Sequence, residues 1–178
     1  LLNDLISGKT MNTFSKLCLG LGLIGASAVA NAALVTYDFD SLAGGSYTEA
    51  ALSAATPGAT LENTGGGSFS VSACNLLGDF SCGNAILNSP YNTSGNKTRA
   101  TFDTTASFAS VVMGDYNADA DALYLNAYDS VGNLLDSDTF ANPASSSAGH
   151  TLSVSGSDIA YVEFYGIGVN NNSVYWDE

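Results

Sequence analysis

Oxygen-bearing side chains recur at alternate positions in one short segment, at Asp115, Asn117, Asp119 and Asp121. Ca²⁺ takes roughly six to eight oxygen ligands, and calcium-binding loops supply them from alternate residues. The segment departs from the EF-hand pattern twice, because Ala120 occupies the usual glycine position and Asn126 stands where the bidentate glutamate should be. The pattern therefore predicts either a calcium site or a solvated acidic turn between two strands.

Four tyrosines lie opposite the aliphatic side of two alternating segments, at Tyr124, Tyr128, Tyr161 and Tyr165. If the two segments are neighbouring strands, the tyrosines form an aromatic surface on one face of a sheet. Sugar rings stack their C–H faces on such surfaces, because aromatic rings are electron-rich. The sequence leaves two interpretations open, a carbohydrate-binding surface or cross-strand tyrosine packing that stabilises the sheet.

Two cysteines, Cys74 and Cys82, lie close together in the chain. An even pair in an exported protein predicts a disulfide, and no histidine or further cysteine lies nearby to complete a metal site. The enclosed loop is short, so we expect its closure to stabilise the fold by about 2–3 kcal/mol.

The chain lacks the common motifs of hydrolytic catalysis. Neither G-x-S-x-G nor H-E-x-x-H occurs, and the one histidine, His150, lies in a Ser/Gly-rich stretch. A glycosidase needs a pair of carboxylates, and Glu163 has no second glutamate on a comparable strand. We therefore expect a protein that is not an enzyme.

Residues 11–32 have the pattern of a signal peptide. Lys16 gives a positive start, residues 17–28 are uncharged and mostly apolar, and Ala30 and Ala32 form a small-x-small cleavage signal. The apolar stretch is too short to span a bilayer as a stable helix. The pattern predicts that residues 1–10 are an upstream artefact and that cleavage after Ala32 releases a domain of residues 33–178.

The predicted mature domain is strongly acidic. The formal net charge of the chain is −13, and its 17 acidic residues less Asp4 leave 16 against Lys97 and Arg99 after residue 32. This balance argues against nucleic acid and against anionic membrane surfaces as partners, because both require basic residues. It agrees with a solvated surface outside the cell, or with divalent cations.

Period-two alternation with glycine and asparagine turns predicts an all-β fold. Apolar and polar residues alternate most clearly in residues 122–129 and 159–166, and no amphipathic helix intervenes. Residues 74–96, rich in Asn, Ser and Gly, indicate one long loop. Strands that recur about every ten residues predict an antiparallel β-sandwich. The remaining predicted strands are residues 35–40, 59–64, 68–73, 98–103, 108–115, 134–140, 152–155 and 174–178.

The stretch GDYNADADALYLNAYD at 114–129, with GNLL at 132–135 and TLSVS at 151–155, is similar to the exported β-sandwich domains of PEP-CTERM proteins of Gram-negative bacteria. Residues 159–165 and 174–178 extend this resemblance. It implies a jelly-roll or galactose-binding-like domain at the cell surface or in the extracellular matrix, followed by a sorting tail. The family's Pro-Glu-Pro motif and hydrophobic tail do not occur in this sequence, which stops inside its last strand pattern. We therefore expect the chain to be truncated at its C-terminus.

Jelly-roll binding modules hold a structural calcium between their first and last strands. The resemblance thus implies a second candidate calcium set, Asp38, Asp40 and Asp177, with ordinary outward-facing acids as the alternative. We expect a non-catalytic secreted, cell-surface or matrix protein. The alternative is a Ca²⁺-stabilised carbohydrate-binding module whose partner is an extracellular polysaccharide. A hydrolase is the third class, and it would require two carboxylates that face each other across a cleft.

Overall fold

Nine strands and one short helix make up the described part of the protein. All of it belongs to one compact unit, Ala32–Glu178. The computed structural model describes residues 34–73, 83–89, 94–115, 120–142, 149–168 and 174–177. In chain order the elements are β1 Gly45–Tyr47, α1 Glu49–Ser53, β2 Ala59–Asn63, β3 Ser68–Ala73, β4 Asn84–Ser89, β5 Thr98–Asp115, β6 Asp121–Tyr128, β7 Leu134–Asn142, β8 His150–Gly168 and β9 Val174–Asp177.

Burial within the strands follows the alternation of the sequence. In β6 every second residue is buried, so Leu123, Leu125 and Ala127 are fully enclosed while Tyr124 is half-buried on the opposite side. In β8, Val162 and Phe164 are buried in the same way. This is the burial of a sheet that covers the core with one face.

Two long strands, β5 and β8, connect the layers of the sandwich. They pair with each other from Thr98↔Phe164 to Met113↔His150, and register shifts around Ala106 bend the ladder. The sequence predicts each of them as two shorter strands, because the alternation is interrupted where the ladder bends. Outside this pair, β5 also contacts β2 and β9, whereas β8 contacts β6, which continues to β7.

The remaining strands continue from β9 in the order β4, β3, β1. Every pairing within the described residues is antiparallel. The protein is an antiparallel β-sandwich, and the predicted fold class is confirmed.

Aromatic side chains fill the space between the layers. The buried indole of Trp176 meets the rings of Phe39, Phe69 and Phe164 edge-on, at centroid distances of 5.5, 6.1 and 5.0 Å. Its Nε1 donates to Oδ1 of the fully buried Asn88 at 3.2 Å. The polar edge of the indole is thereby satisfied inside the core.

Residues 35–40 do not form the predicted strand. Phe39 is buried, but Val35 is 57% exposed and the segment is irregular. The Asp38 carboxylate accepts the backbone N–H of Asp40 at 2.8 Å, and Leu42 N donates to the Phe39 carbonyl at 2.9 Å. Aspartates that bind their own backbone favour turns, which is why alternation alone misassigns this segment.

Residues 74–96 are not one long loop, so that prediction is wrong as well. Within them, β4 pairs with β3 along its whole length and buries Ala85 and Ile86 completely. The sequence does not predict β4, because a polar residue, Asn88, occupies one of its core positions. This is possible since the hydroxyl of Thr98 donates to Asn88 Oδ1 at 2.7 Å.

The short elements β1 and α1 lie outside the predicted set. Helix α1 begins after Thr48, whose side chain accepts the backbone N–H of Ala51 at 3.2 Å, and it buries Leu52. One turn of helix carries too little periodicity to be recognised in a sequence. In the part of the chain that the structure describes, no helix is long and apolar enough to cross a membrane.

Candidate functional site

The four predicted tyrosines lie together on one face of the sheet. Strands β6 and β8 are neighbours, and their register pairs Tyr124 with Tyr165 and Tyr128 with Tyr161. In both pairs the rings are stacked with centroids 4.9 Å apart, and their planes are 10° and 13° from parallel. We call this surface the tyrosine face. It consists of the two stacked pairs and four polar residues beside them, Lys97, Arg99, Asn126 and Glu163.

The tyrosine rings stand upright on the sheet instead of lying flat. Two rings lying side by side in one plane would collide at a centroid distance of 4.9 Å. This distance matches the spacing of about 4.8 Å between neighbouring strands, so each ring stacks face to face on the ring of the next strand. The stacked ring faces therefore cover each other. Along each strand the two pairs are separated by four residue steps, so a furrow about 13 Å across from ring to ring lies between them. The cross-strand tyrosine packing that the sequence left open is therefore present, and it gives the face two tyrosine ridges with a furrow between them. Sugar binding on this face stays a prediction.

An ion-paired carboxylate lies at the floor of the furrow. Glu163 stands between the ridges, in register with Asn126, and its side chain is 7% exposed. Lys97 Nζ donates to Oε2 of Glu163 at 2.6 Å, and Arg99 Nη2 and Nε donate to Oε1 at 2.6 and 3.1 Å. Glu62 of β2 lies 3.4 Å from Nη1 of Arg99 and is more exposed. The floor is therefore a hydrogen-bonded network of opposite charges.

Both cations also lie against tyrosine rings. Lys97 Nζ is 5.3 Å from the ring centroid of Tyr165, and Arg99 Cζ is 4.9 Å from that of Tyr161. Each contact contributes about 0.5–1 kcal/mol at a partly exposed site. Each ridge is thus a row of cation, tyrosine and tyrosine.

Lys97 and Arg99 are the site residues that the tyrosine pattern does not reveal. They are the only Lys and Arg after residue 32, and the fold brings both to one face. Their isolation in an acidic chain is the signal that could have marked them. Their common partner, Glu163, is more than 60 residues away in the sequence.

The ion pairs determine the protonation states on the tyrosine face. Burial alone would raise the pKa of Glu163, but hydrogen bonds from Lys97 and Arg99 outweigh burial and lower it. Burial acts to lower the pKa of Lys97, yet its bond and attraction to Glu163 raise it. Burial, followed by the charge of Glu163, raises the pKa of Tyr128. At neutral pH the face holds a carboxylate, two cations and a phenol O–H, whereas a glycosidase general acid requires a raised carboxyl pKa.

Solved structures of other proteins have a similar architecture. An arabinose-bound GH51 α-L-arabinofuranosidase aligns with a TM-score of 0.50 and 12% identity over 81% of this chain, which spans only 25% of that enzyme. The CBM22-1 xylan-binding domain of Paenibacillus barcinonensis Xyn10C aligns with a TM-score of 0.45 and 12% identity, covering 81% of this chain and 89% of that domain. The likeness is one of fold. No protein-family profile matches the sequence, and no curated protein is similar to it.

Two members of the second acidic set, Asp38 and Asp40, accept backbone hydrogen bonds. Asp40 Oδ1 accepts the backbone N–H of Asn84 at 2.7 Å, and Asp38 Oδ1 accepts that of Asp40. Asp177 of β9 is largely buried. Among the described residues, no three His, Cys, Asp or Glu side chains are grouped closely enough to hold a metal ion. Calcium at Asp38, Asp40 and Asp177 stays a prediction.

Most of the other predicted sites fall outside the described residues. Asp121 is the one member of the first acidic set whose side chain is described, and it is buried at the start of β6. The predicted residues outside the described part are Cys74, Cys82, Asn117 and Asp119, together with the side chain of Asp115 and the whole of residues 11–32. The disulfide, the first calcium site and the signal peptide therefore stay predictions.

A separate apolar cleft of about 320 Å³ lies beside the irregular segment before β1. Its lining includes Leu34, Val35, Phe102 and Phe108, and no charged residue is among the described residues that line it. Such a cleft offers few hydrogen bonds to a polar ligand. The tyrosine face is therefore the stronger candidate site.

Proposed function

We propose that this protein is a non-catalytic carbohydrate-binding domain and that the tyrosine face is its binding site. The observation that carries the proposal is a furrow with tyrosine walls and an ion-paired, hydrogen-bonding floor. A sugar presents apolar C–H groups together with hydroxyls that both donate and accept hydrogen bonds. The furrow offers the hydrogen bonds, and the outer ring faces of Tyr124 and Tyr128 on the β7 side of the ridges offer the apolar contact to the same ligand.

The tyrosines at the outer end of each ridge are the expected stacking residues. Tyr124 and Tyr128 are both half-buried. Tyr124 of β6 is in register with Thr139 of β7, whose short side chain is exposed. The outer face of the Tyr124 ring therefore borders a small polar group. An apolar sugar face can pack against a ring in that position. The raised pKa of Tyr128 keeps its O–H protonated as a donor.

The floor supplies directional hydrogen bonds. An ammonium group has three N–H donors and a guanidinium five, and the bonds to Glu163 use one donor of Lys97 and two of Arg99. Charged donors form the stronger class of hydrogen bond. Because Glu163 holds both cations in place, these donors are oriented before a ligand arrives, which lowers the entropy lost on binding.

Export belongs to the same proposal. A domain that binds polysaccharide outside the cell must leave the cytoplasm, and the pattern of residues 11–32 supports this. The resemblance to PEP-CTERM proteins and the acidic composition are consistent with placement at the cell surface or in the extracellular matrix. In this setting the predicted calcium would stabilise the fold and take no part in ligand binding.

Affinity electrophoresis in gels that contain soluble polysaccharide tests the proposal. The panel is xylan, mannan, galactan and mixed-linkage β-glucan, and the full chain should be retarded by at least one of them. Tyr124→Ala and Tyr128→Ala should each weaken binding about tenfold, which corresponds to about 1.4 kcal/mol. The loss arises because each substitution removes the outer ring of one ridge, against which the apolar face of the sugar packs.

Tyr175→Ala is the matched control for these variants. Tyr175 is also half-buried, but it lies on β9, which pairs with β4 and β5 away from β6. It should leave binding unchanged, and circular dichroism should show that all three variants are folded. Absence of retardation by every polysaccharide, or an equal loss in the Tyr175 variant, would contradict the proposal.

A further inference from the structure

We propose that Glu163 makes the tyrosine face selective for neutral glycans and excludes sugars that carry a carboxylate. This inference rests on the proposed function and specifies its ligand class. It follows from the charges of the furrow and from the burial of Glu163.

The positive charge of the furrow is already matched within the protein. Lys97 and Arg99 both donate to Glu163, and Arg99 also lies 3.4 Å from Glu62. The four side chains together carry no net charge at neutral pH. Recognition of an anionic sugar requires a cation whose partner is the ligand, and here both cations have an internal carboxylate as their partner.

Glu163 is held too firmly to give way to an incoming carboxylate. Its side chain is 7% exposed and accepts three hydrogen bonds, from Lys97 Nζ and from two nitrogens of Arg99. A sugar carboxylate on the same two cations would lie within a few ångströms of it. Like charges at such a distance repel strongly in a partly desolvated site.

The rest of the molecule adds to this repulsion. The chain has 17 acidic residues against four Lys and Arg, and its formal net charge is −13. A polyanion therefore approaches against a negative field. Neutral hydroxyls meet no such barrier, because one hydroxyl can accept from Lys97 or Arg99 while it donates to a carboxylate oxygen.

The test compares two polymers with the same backbone. The probes are the neutral polysaccharide that retards the wild-type protein most and its counterpart carrying uronic acid, measured at 150 mM NaCl. The wild-type protein should bind the uronic-acid polymer at least tenfold more weakly. In Glu163→Gln the two cations lose their internal partner. The ratio of the affinity for the neutral polymer to the affinity for the uronic-acid polymer should therefore fall at least tenfold, through tighter binding of the uronic-acid polymer. That gain should diminish as NaCl is raised.

Glu62→Gln is the matched control, since it removes one negative charge beside the tyrosine face, from a 47% exposed side chain, and leaves Glu163 on both cations. The ratio of the two affinities in this variant should stay within twofold of the wild-type ratio. Equal narrowing in both variants would show that net charge alone decides, and it would overturn the inference. Equal binding of both polymers by the wild type would overturn it as well, whether or not the Glu163 variant folds. If no neutral polysaccharide binds, the proposed function itself fails, and that result is distinguishable from either of these.

Discussion

Glu163 is a buried carboxylate on the side of the sheet that faces away from the core. Tyrosine rings flank it along β8 and across β6. Arg99 approaches it from β5, and Lys97 from the residue just before β5. A carboxylate loses hydration when rings cover it, and this loss is tolerable only if hydrogen-bonded cations replace the water. The tyrosine face is therefore organised around one residue, which orients the donors and also limits what the furrow accepts.

The ion pair of Glu163 should make stability depend on pH in a defined way. Its pKa is lowered from the ordinary value of 4.5, so its contribution is present above pH 4.5 and is lost as pH falls through the lowered value. The pKa of Lys97 is raised from 10.5, so its contribution is present below that pH and is lost as pH rises through the raised value. We expect a stability plateau between these limits.

Urea unfolding of the wild type and Glu163→Gln at a series of pH values measures this effect. At pH 7 the variant should be less stable by roughly 1.5–3 kcal/mol, the range for a hydrogen bond to a charged group. The difference should shrink as the pH falls from 4.5 through the lowered pKa of Glu163, because the proton binds the unfolded wild type first and the folded carboxylate last. Glu62→Gln should cost less than about 0.5 kcal/mol, since Glu62 is half exposed. A constant difference between Glu163→Gln and wild type at all pH values would contradict the assignment.

The sequence predicts half of this site for a physical reason. Tyr124, Tyr128, Tyr161 and Tyr165 reveal themselves because alternation is a local property, so each strand alone shows which face its tyrosines occupy. The bond from Lys97 to Glu163 depends on the pairing of β5 with β8, which joins distant parts of the chain. The register between two strands so far apart in the sequence depends on the packing of the whole core, so neither strand's own sequence determines it.

At the scale of the elements, β7 closes an open edge of β8. The first half of β8 pairs with β5 on one side. On the other side the backbone N–H groups of Ser153 and Ser155 donate to Oδ2 of Asp138 and Asp136, at 2.9 and 2.8 Å. Each of these carboxylates also accepts a backbone N–H of β7 itself through Oδ1. Side-chain carboxylates thus take the place of a backbone ladder and protect a strand edge from pairing with another chain.

Substitution of Asp138 should loosen this edge. Asp138→Ala removes the acceptor of the Ser153 amide, and we expect a loss of about 1–2 kcal/mol in unfolding free energy. Amide hydrogen exchange should accelerate at Ser153 more than at Ser110, its partner on β5. Ser137→Ala, an exposed site on the same strand, serves as the control and should change neither quantity. Unaltered exchange at Ser153 in the Asp138 variant would rule out the carboxylate bridge.

The boundaries of strands are less predictable than their faces. β3 has the predicted bounds, and β6 is shifted by one residue from the predicted segment. β4 is missed because Asn88, a polar residue, lies in the core, where its Oδ1 accepts hydrogen bonds from Thr98 and Trp176. Residues 35–40 are assigned to a strand in error because the turn-forming bond from Asp38 to Asp40 competes with alternation. In both of these errors, hydrogen bonds of one side chain reverse what composition indicates.

At the scale of the whole molecule, charge is distributed unevenly. Acidic residues occur along most of the chain, whereas the only Lys and Arg after residue 32 are enclosed in the tyrosine face. Two cations are too few to pair with the 16 acidic residues after residue 32, so repulsion among the acidic groups opposes compaction. Salt should weaken this repulsion, since the screening length falls to about 10 Å at 0.1 M ionic strength.

Thermal unfolding in NaCl and CaCl₂ of equal ionic strength separates general screening from specific binding. Raising NaCl from 10 to 150 mM should increase Tm by about 3 °C, which corresponds to about 1 kcal/mol for a domain of this size. The Glu163 network should contribute little to this response, because a buried pair is screened less than exposed charges. CaCl₂ should raise Tm beyond the NaCl value if either predicted acidic set, the one around Asp119 or the one around Asp40, binds the ion, since a ligand stabilises only the state that binds it. A Tm that falls as NaCl is raised would contradict the repulsion argument. Equal Tm values in NaCl and CaCl₂ of the same ionic strength would contradict both predicted calcium sites.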